Sequence, residues 1–323
     1  MPSIKNVRTI TGVTETKGDL GVEIEVEGKR LPIYLDERYW RVDKDGSLKG
    51  ESWEYVTPTP RSLSDIKEAL DHLKVAYKNN LTVVSDTIRA GVHVHRNVQK
   101  LTSKQLFTFI ISYFILEDVL VEWCGPSRVG NHFCLRSRDA EFVLFQLLKA
   151  IETKKLGGLN KTNIRYCSLN VCSLFKYGSI EFRAMRGTSD LDLIYTWAAT
   201  IDELYNSCLK FSDPREVVLS VCSAGEAELI RTLLPTTYKN FITNPNYKEA
   251  IRDGARRVQM LAFSVDWFSF DKPSKNPFNE EENLALSNGG PPIEDDPPLE
   301  DFPDDVDEDD LNDFDEGSQE TVN

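Results

Sequence analysis

The chain has 323 residues, 40% hydrophobic and 28% charged, enough for one or two globular domains with a sizeable core. Its net charge of −14 is confined to one end: Asn276 to Asn323 holds 18 acidic residues and no Lys or Arg. Residues 1–275 therefore carry 38 basic against 34 acidic groups, a net of +4, which excludes an acidic nucleic-acid mimic.

Residues before Lys17 carry scattered charges and no apolar h-region, so no signal peptide is expected. Arg8–Thr14 and Gly21–Glu27 flank a Lys17-Gly18-Asp19 turn signal and predict a hairpin. Tyr39–Val42 and Trp53–Thr57 read as short strands around the Asp43-Lys44-Asp45-Gly46 turn, the second stopped by Pro58 and Pro60. Ser62–Asn79 has helical periodicity with Ser62 or Ser64 as N-cap. A strand is expected at Gly91–Asn97, then an apolar helix capped by Thr102 or Ser103 and running to about Trp123. Its most apolar part, Leu106–Leu116, is well short of the ~20 residues of a membrane span and reads as a buried helix.

Beyond the Gly-, Arg- and Asn-rich loop Gly125–Ser137, an amphipathic helix is expected at Asp139–Thr153 and a flexible loop at Lys154–Asn163. Strands follow near Tyr166–Phe175 and Ser179–Arg183, joined by Lys176-Tyr177-Gly178; from Leu191 to about Phe270 the pattern is mostly helical. Strands and helices do not alternate as in a βαβ protein, so an α+β architecture on an antiparallel sheet is expected. From about Lys272 prolines mix with like charges, predicting a disordered acidic tail over 272–323 after a domain of 1–271. Leu299, Phe302, Leu311 and Phe314 give that tail apolar anchors with which to dock a protein partner; solubility is its plainer role.

The six cysteines (Cys124, Cys134, Cys167, Cys172, Cys208, Cys222) stand singly, without a Cys-x-x-Cys pair, and read as reduced thiols of a cytoplasmic protein. His72 reads as a surface residue and Glu27 as solvated, while Phe107, Phe109, Tyr113 and Phe114 have the spacing of a helical core stripe. Phe263–Phe270 reads as packing on the core, and Ser189 or Asp190 as the N-cap of the next helix. His132 lies in the Arg/Asn-rich loop and is a lesser site candidate.

Three strand segments carry ionisable groups two residues apart: Glu23-Ile24-Glu25, His93-Val94-His95 and Glu181-Phe182-Arg183. Residues i and i+2 of a strand share a face, so each segment turns its charges one way and its apolar residue the other. A Glu-x-Glu alternation is usually a solvated sheet face; three such segments converging would bring carboxylates, imidazoles and an arginine into one cleft. Oxygen-rich ligation of that kind suits Mg²⁺ or Mn²⁺, and a divalent ion beside arginines is recurring equipment for phosphoryl transfer. No Walker sequence is present, and Gly157-Gly158 alone is a weak phosphate-loop signal.

The order Gly21-Val-Glu-Ile-Glu25, Glu54-Tyr-Val-Thr-Pro58, Gly91-Val-His-Val-His95 and Ser179-Ile-Glu-Phe-Arg183 resembles the amidoligase family, phage and bacterial relatives of glutamine synthetase and glutamate–cysteine ligase. The likeness runs over about 20–210, and the Asp45-Gly46-Ser47 turn fits it too. It implies a glutamine-synthetase-like antiparallel sheet with helices on one face, and an ATP- and Mg²⁺-dependent carboxylate–amine ligase working through an acyl phosphate. The resemblance implies Glu23, His93 and Glu181 around one metal ion, Glu25 and Glu54 around a second, and His95 against ATP. Arg183 would meet the transferring phosphate, Arg128 and Arg165 would contact phosphates, and Glu51 could take the amine's proton. The expected partners are ATP, an acid and an amine, with neither membrane nor direct nucleic-acid binding. A metal-dependent hydrolase and a non-enzymatic protein docking through its tail are the competing readings.

Overall fold

The computed structural model describes residues 4–160 and 165–272. Helix α1 (Val7–Thr11) is followed by strands β1 (Leu20–Lys29), β2 (Arg41–Asp43) and β3 (Ser52–Val56), then helix α2 (Leu63–Asn80). Strands β4 (Val83–Ser85) and β5 (Gly91–Asn97) lead to the long helix α3 (Ser103–Cys124) and to α4 (Glu141–Thr153). Strand β6 (Leu169–Asn170), helix α5 (Ser173–Lys176) and strand β7 (Ser179–Arg186) complete the sheet. Four helices close the described chain: α6 (Leu191–Cys208), α7 (Pro214–Ser223), α8 (Glu226–Leu233) and α9 (Tyr247–Ala262). The architecture is α+β, as expected. The sheet order is β2-β3-β1-β5-β7-β6, with β4 also on β1, and every pairing between named strands is antiparallel.

Period-two alternation divides the sheet into two faces. Val22, Ile24 and Val26 of β1, Val92 and Val94 of β5, and Ile180 and Phe182 of β7 are buried in the apolar core. Helices α2, α3 and α6 pack against that sheet, and α7 and α9 pack on α3. Phe182 sits against Phe109 and Tyr113 of α3, with ring centroids 5.6 and 5.0 Å apart. Helix α3 is apolar on nearly every side because it lies between the sheet and α9. No helix among the described residues is long and apolar enough to cross a membrane.

Local chemistry sets the boundaries. Ser62 and Asp65 form a capping box at the start of α2, and Thr102 and Gln105 form another on α3. Asp190 caps α6 by accepting from the Leu193 amide at 3.0 Å. Gly28 allows β4 onto β1, since a Cβ there would lie 2.0 Å from the Val83 carbonyl oxygen. The Phe107 group is core as expected, and Trp267 and Phe270 pack on Phe107 while Phe268 is exposed.

Several local expectations are corrected. Arg8–Thr14 is no strand: Asn6 accepts from the Thr9 amide at 3.0 Å, and Gly12, at φ 72°, ends a single helical turn. Tyr166–Phe175 yields only the two residues of β6, because Asn170 Oδ1 accepts from the Cys172 amide at 2.9 Å and turns the chain into α5. Strand β4 has no counterpart among the sequence-based elements. Glu27 is buried rather than solvated and accepts from the Lys49 amide at 2.7 Å. His72 is half-buried, its ring 5.0 Å from that of Tyr39. The expected acidic tail, from Pro273 on, and residues 161–164 of the expected loop lie outside the described residues.

Phe182→Ala should cost about 3–5 kcal/mol of unfolding free energy in denaturant titration, because a buried ring leaves a cavity under the sheet. Phe268→Ala, on an exposed ring, should stay within about 0.5 kcal/mol of the parent.

Candidate active site

The strand register lays the ionisable residues out as rows on the face opposite the core. One row runs Gly21, His95, Glu181 and Asn170, each directly opposite the next across neighbouring strands. The next runs Arg41, Val56, Glu23 and His93; the third runs Asp43, Glu54 and Glu25. Antiparallel pairing thus converts the spacing of two along each strand into contacts between strands.

His93 is at the centre and 2% exposed. Its Nδ1 lies 3.3 Å from Glu23 Oε2 and 3.5 Å from Glu181 Oε1, and its Nε2 lies 3.6 Å from Glu25 Oε2. His95 Nε2 is 3.2 Å from the other Glu23 oxygen, and its Nδ1 is 3.3 Å from Ser179 Oγ. Arg183 and Asn170 both donate to Glu181, Asn170 Nδ2 at 2.6 Å. Glu25 accepts the Gly91 amide at 3.1 Å, in the gap along β1 between its pairings with β4 and β5.

Two groups bring acidic and imidazole ligand atoms within 4.8 Å of one another: Glu23, His95 and Glu181, and Glu25, Asp45 and Glu54. Their electrostatics differ. Burial works to raise Glu23, but hydrogen bonds to His93 and His95 hold its carboxyl well below the usual range. Burial likewise opposes the lowering of Glu181, which the His95 and Arg183 charges bring about. In the second group burial dominates: Glu25 is raised despite His93 and Arg183, and Glu54 is pushed up to about 7 by burial and then by repulsion from Glu23 and Glu25. Five carboxylates and an imidazole pair form an oxygen-rich donor set, and three mutually repelling acids are stabilised by a cation between them. The residues fit two hard divalent ions.

Glu23, Glu25, Glu54, His93, His95, Glu181 and Arg183 converge. His95 stands with Glu23 and Glu181, while His93 bridges towards both groups. Glu51 is elsewhere: it lies one residue before β3, accepts from the Leu31 amide at 2.8 Å and acts on the core-facing Tyr55. Arg128 is buried and donates to the Ala90 and Arg183 carbonyls at 3.3 and 2.9 Å, bracing β5 against β7. Arg165 is exposed over the Tyr166 ring, which contacts Phe133; Arg183 Nε donates to the Phe133 carbonyl at 3.4 Å. His132 is exposed.

Asp45 and Asn170 join the site without being among the residues the sequence predicts for it. Asp45 was signalled by its Asp-Gly-Ser turn, whereas Asn170 had no sequence signal, since it depends on β6 pairing with β7. Beside Glu23 and His95 opens a cleft of about 220 Å³, also lined by Arg41, Thr57, Tyr177 and Ser179.

The family described as "Putative amidoligase enzyme" matches residues 5–204, which include all seven strands and both acidic groups found among the described residues. The chain belongs to the amidoligase family. It is thereby placed among the ligases. No curated protein matches its sequence.

For this amidoligase-family chain, divalent cations should raise Tm more at pH 8 than at pH 6. A carboxyl raised to about 7 holds a proton at low pH that a cation must displace, so affinity falls as pH drops through that value. Differential scanning fluorimetry with and without Mg²⁺ or Mn²⁺ reads this directly. Asp45→Asn should reduce the metal-dependent rise, whereas Glu51→Gln should leave it intact.

Proposed function

We propose that this protein is an ATP- and Mg²⁺-dependent carboxylate–amine ligase that activates its acid as an acyl phosphate. The observation that carries the reading is the side-by-side placement of two acidic groups along β1, with Arg183 directed at the first of them. Glu23, His95 and Glu181 would hold one cation, and Glu25, Asp45 and Glu54 a second, with His93 touching Glu23, Glu25 and Glu181. When bound, such cations neutralise phosphate oxygens and so lower the cost of charge on the transferring group.

A substrate carboxylate oxygen attacks the γ-phosphorus, the bond to the bridging oxygen breaks, and ADP leaves. The amine nitrogen then attacks the activated carbonyl, inorganic phosphate leaves, and the nitrogen loses a proton to give the amide. Arg183, a half-buried and permanently charged guanidinium, would donate to the transferring phosphoryl group as charge accumulates there. His95 and Tyr177, with ring centroids 5.9 Å apart at 88°, form a polar-edged wall of the cleft where the nucleotide would lie. With Glu51 engaged away from this face, the proton of the amine falls to a group of the cluster itself.

Calorimetric titration with ATP, with and without Mg²⁺, tests the reading. Wild type should bind in the micromolar range only with Mg²⁺, and the Glu23→Ala/Glu181→Ala variant should lose binding by at least about tenfold, since first- and second-sphere changes typically cost that much in metal affinity. A well-folded wild type that binds no ATP would overturn it. Binding without ADP release in any acid and amine mixture would favour a non-catalytic protein. Arg183→Ala should keep nucleotide binding and lower turnover by about 10²–10³, the loss expected for one donor to developing charge.

A further inference from the structure

The family match ends at residue 204, yet the chain continues through α7, α8 and α9 in the same fold. Helix α9 lies along α3 and sends Arg257 inward. Arg257 Nη2 donates to Asp118 at 2.8 Å and Nη1 to Ser137 Oγ at 3.0 Å; Glu117 Oε2 is 3.6 Å away. Glu117 and Asp118 are buried acids in the middle of α3, at 0% and 3% exposure. Two adjacent carboxylates in an apolar helix are costly without cations, and Arg257 and Arg136 supply them, Arg136 reaching Asp118 at 3.2 Å.

What Glu117 does with its other oxygen connects this pair to the site. Glu117 Oε1 accepts from Ser168 Oγ, which also lies 3.2 Å from the Tyr113 hydroxyl. Ser168 immediately precedes β6; its carbonyl accepts the Arg183 amide at 2.8 Å, and its amide donates to the Leu135 carbonyl at 2.7 Å. Two residues on, Asn170 pairs with Glu181 across β6 and β7 and hydrogen-bonds its carboxylate. A two-residue edge strand has almost no ladder to fix it and relies on side-chain anchors. Ser168 is that anchor, Glu117 fixes Ser168, and Arg257 braces Glu117 from the other side, directly and through Ser137, whose amide and hydroxyl both donate to Glu117 Oε2.

We propose that α9 completes the site, with Arg257 as a positioning residue acting through Glu117 and Ser168 on the β6–β7 edge that carries Asn170, Glu181 and Arg183. The catalytic unit thus extends past the family-matched segment as far as the third helix beyond it, α9. The cation-binding half of the inference rests on the two cation sites of the reading given above, not on ATP. The mechanical half does not.

Two readouts on the full chain test it. Amide hydrogen exchange at Ser168–Asn170 and at Arg183 should accelerate in Arg257→Ala while β1 and β5 stay protected, and Arg257→Lys should restore most of the protection. Mn²⁺ affinity, read by electron paramagnetic resonance without nucleotide, should fall about tenfold in Arg257→Ala, as for loss of a residue that orients a ligand. Ser168→Ala removes only a hydroxyl, stays informative if Arg257→Ala fails to fold, and should reproduce both effects. The double variant should lose no more than either single change, as for residues acting in one chain. Unchanged exchange and unchanged Mn²⁺ affinity in folded Ser168→Ala overturn the proposal. A wild type that binds Mn²⁺ but not ATP sinks the ligase reading and leaves this test intact. One that binds no Mn²⁺ removes the metal half, and exchange then decides the mechanical half.

Discussion

Carboxylates crowd one another on the open face of β1, and most of the structure around the site answers that repulsion. Glu23 and Glu25 are two residues apart on a central strand, with Glu54 directly opposite Glu25 on β3. The groups that compensate them arrive on other strands: His93 and His95 on β5, Arg183 on β7, and the Gly91 amide at the head of β5. Compensation is uneven. The Glu23 side is held ionised by two imidazoles, whereas the other side has fewer positive partners, and Glu25 and Glu54 resist ionisation. The asymmetry separates the two positions chemically although they are neighbours.

That arrangement is possible because the other face is unambiguous. Val22, Ile24, Val26, Val94 and Phe182 are buried against helices, so a slip of one residue in any pairing would turn acids into the core and aliphatics into the cleft. The cost of that exchange fixes the register, and the register fixes which ionisable groups meet. The site is therefore held in place by hydrophobic packing on the side it never touches.

Legibility in the sequence followed the same physics. Glu23, Glu25, His93, His95, Glu181 and Arg183 were readable because their grouping depends on a two-residue period within one strand, a purely local property. Glu51 misled because closeness to Glu54 in sequence says nothing of the face it takes: one residue outside β3, it turns to the Leu31 amide. Arg128 carried a charge suited to phosphate, but its donors are committed to main-chain carbonyls in the interior. Helix α1 was missed because one cap and one glycine decide it, and neither alters hydrophobic period. Asn170 and the Arg257–Glu117–Ser168 chain depend on contacts across long sequence separations, which a periodicity cannot carry.

The sheet's borders have a further consequence. Strand β2 offers three residues at one edge and β6 only two at the other, and Asn170 bends the chain away directly after β6. Long, flat edges are templates for intermolecular β-pairing; short ones that turn off are not. Between these borders β1 and β5 have both flanks occupied over most of their length. Among the described residues, the strands at the centre of the charge chemistry, β1 and β5, thus offer little unpaired main chain on which a second molecule could begin to aggregate.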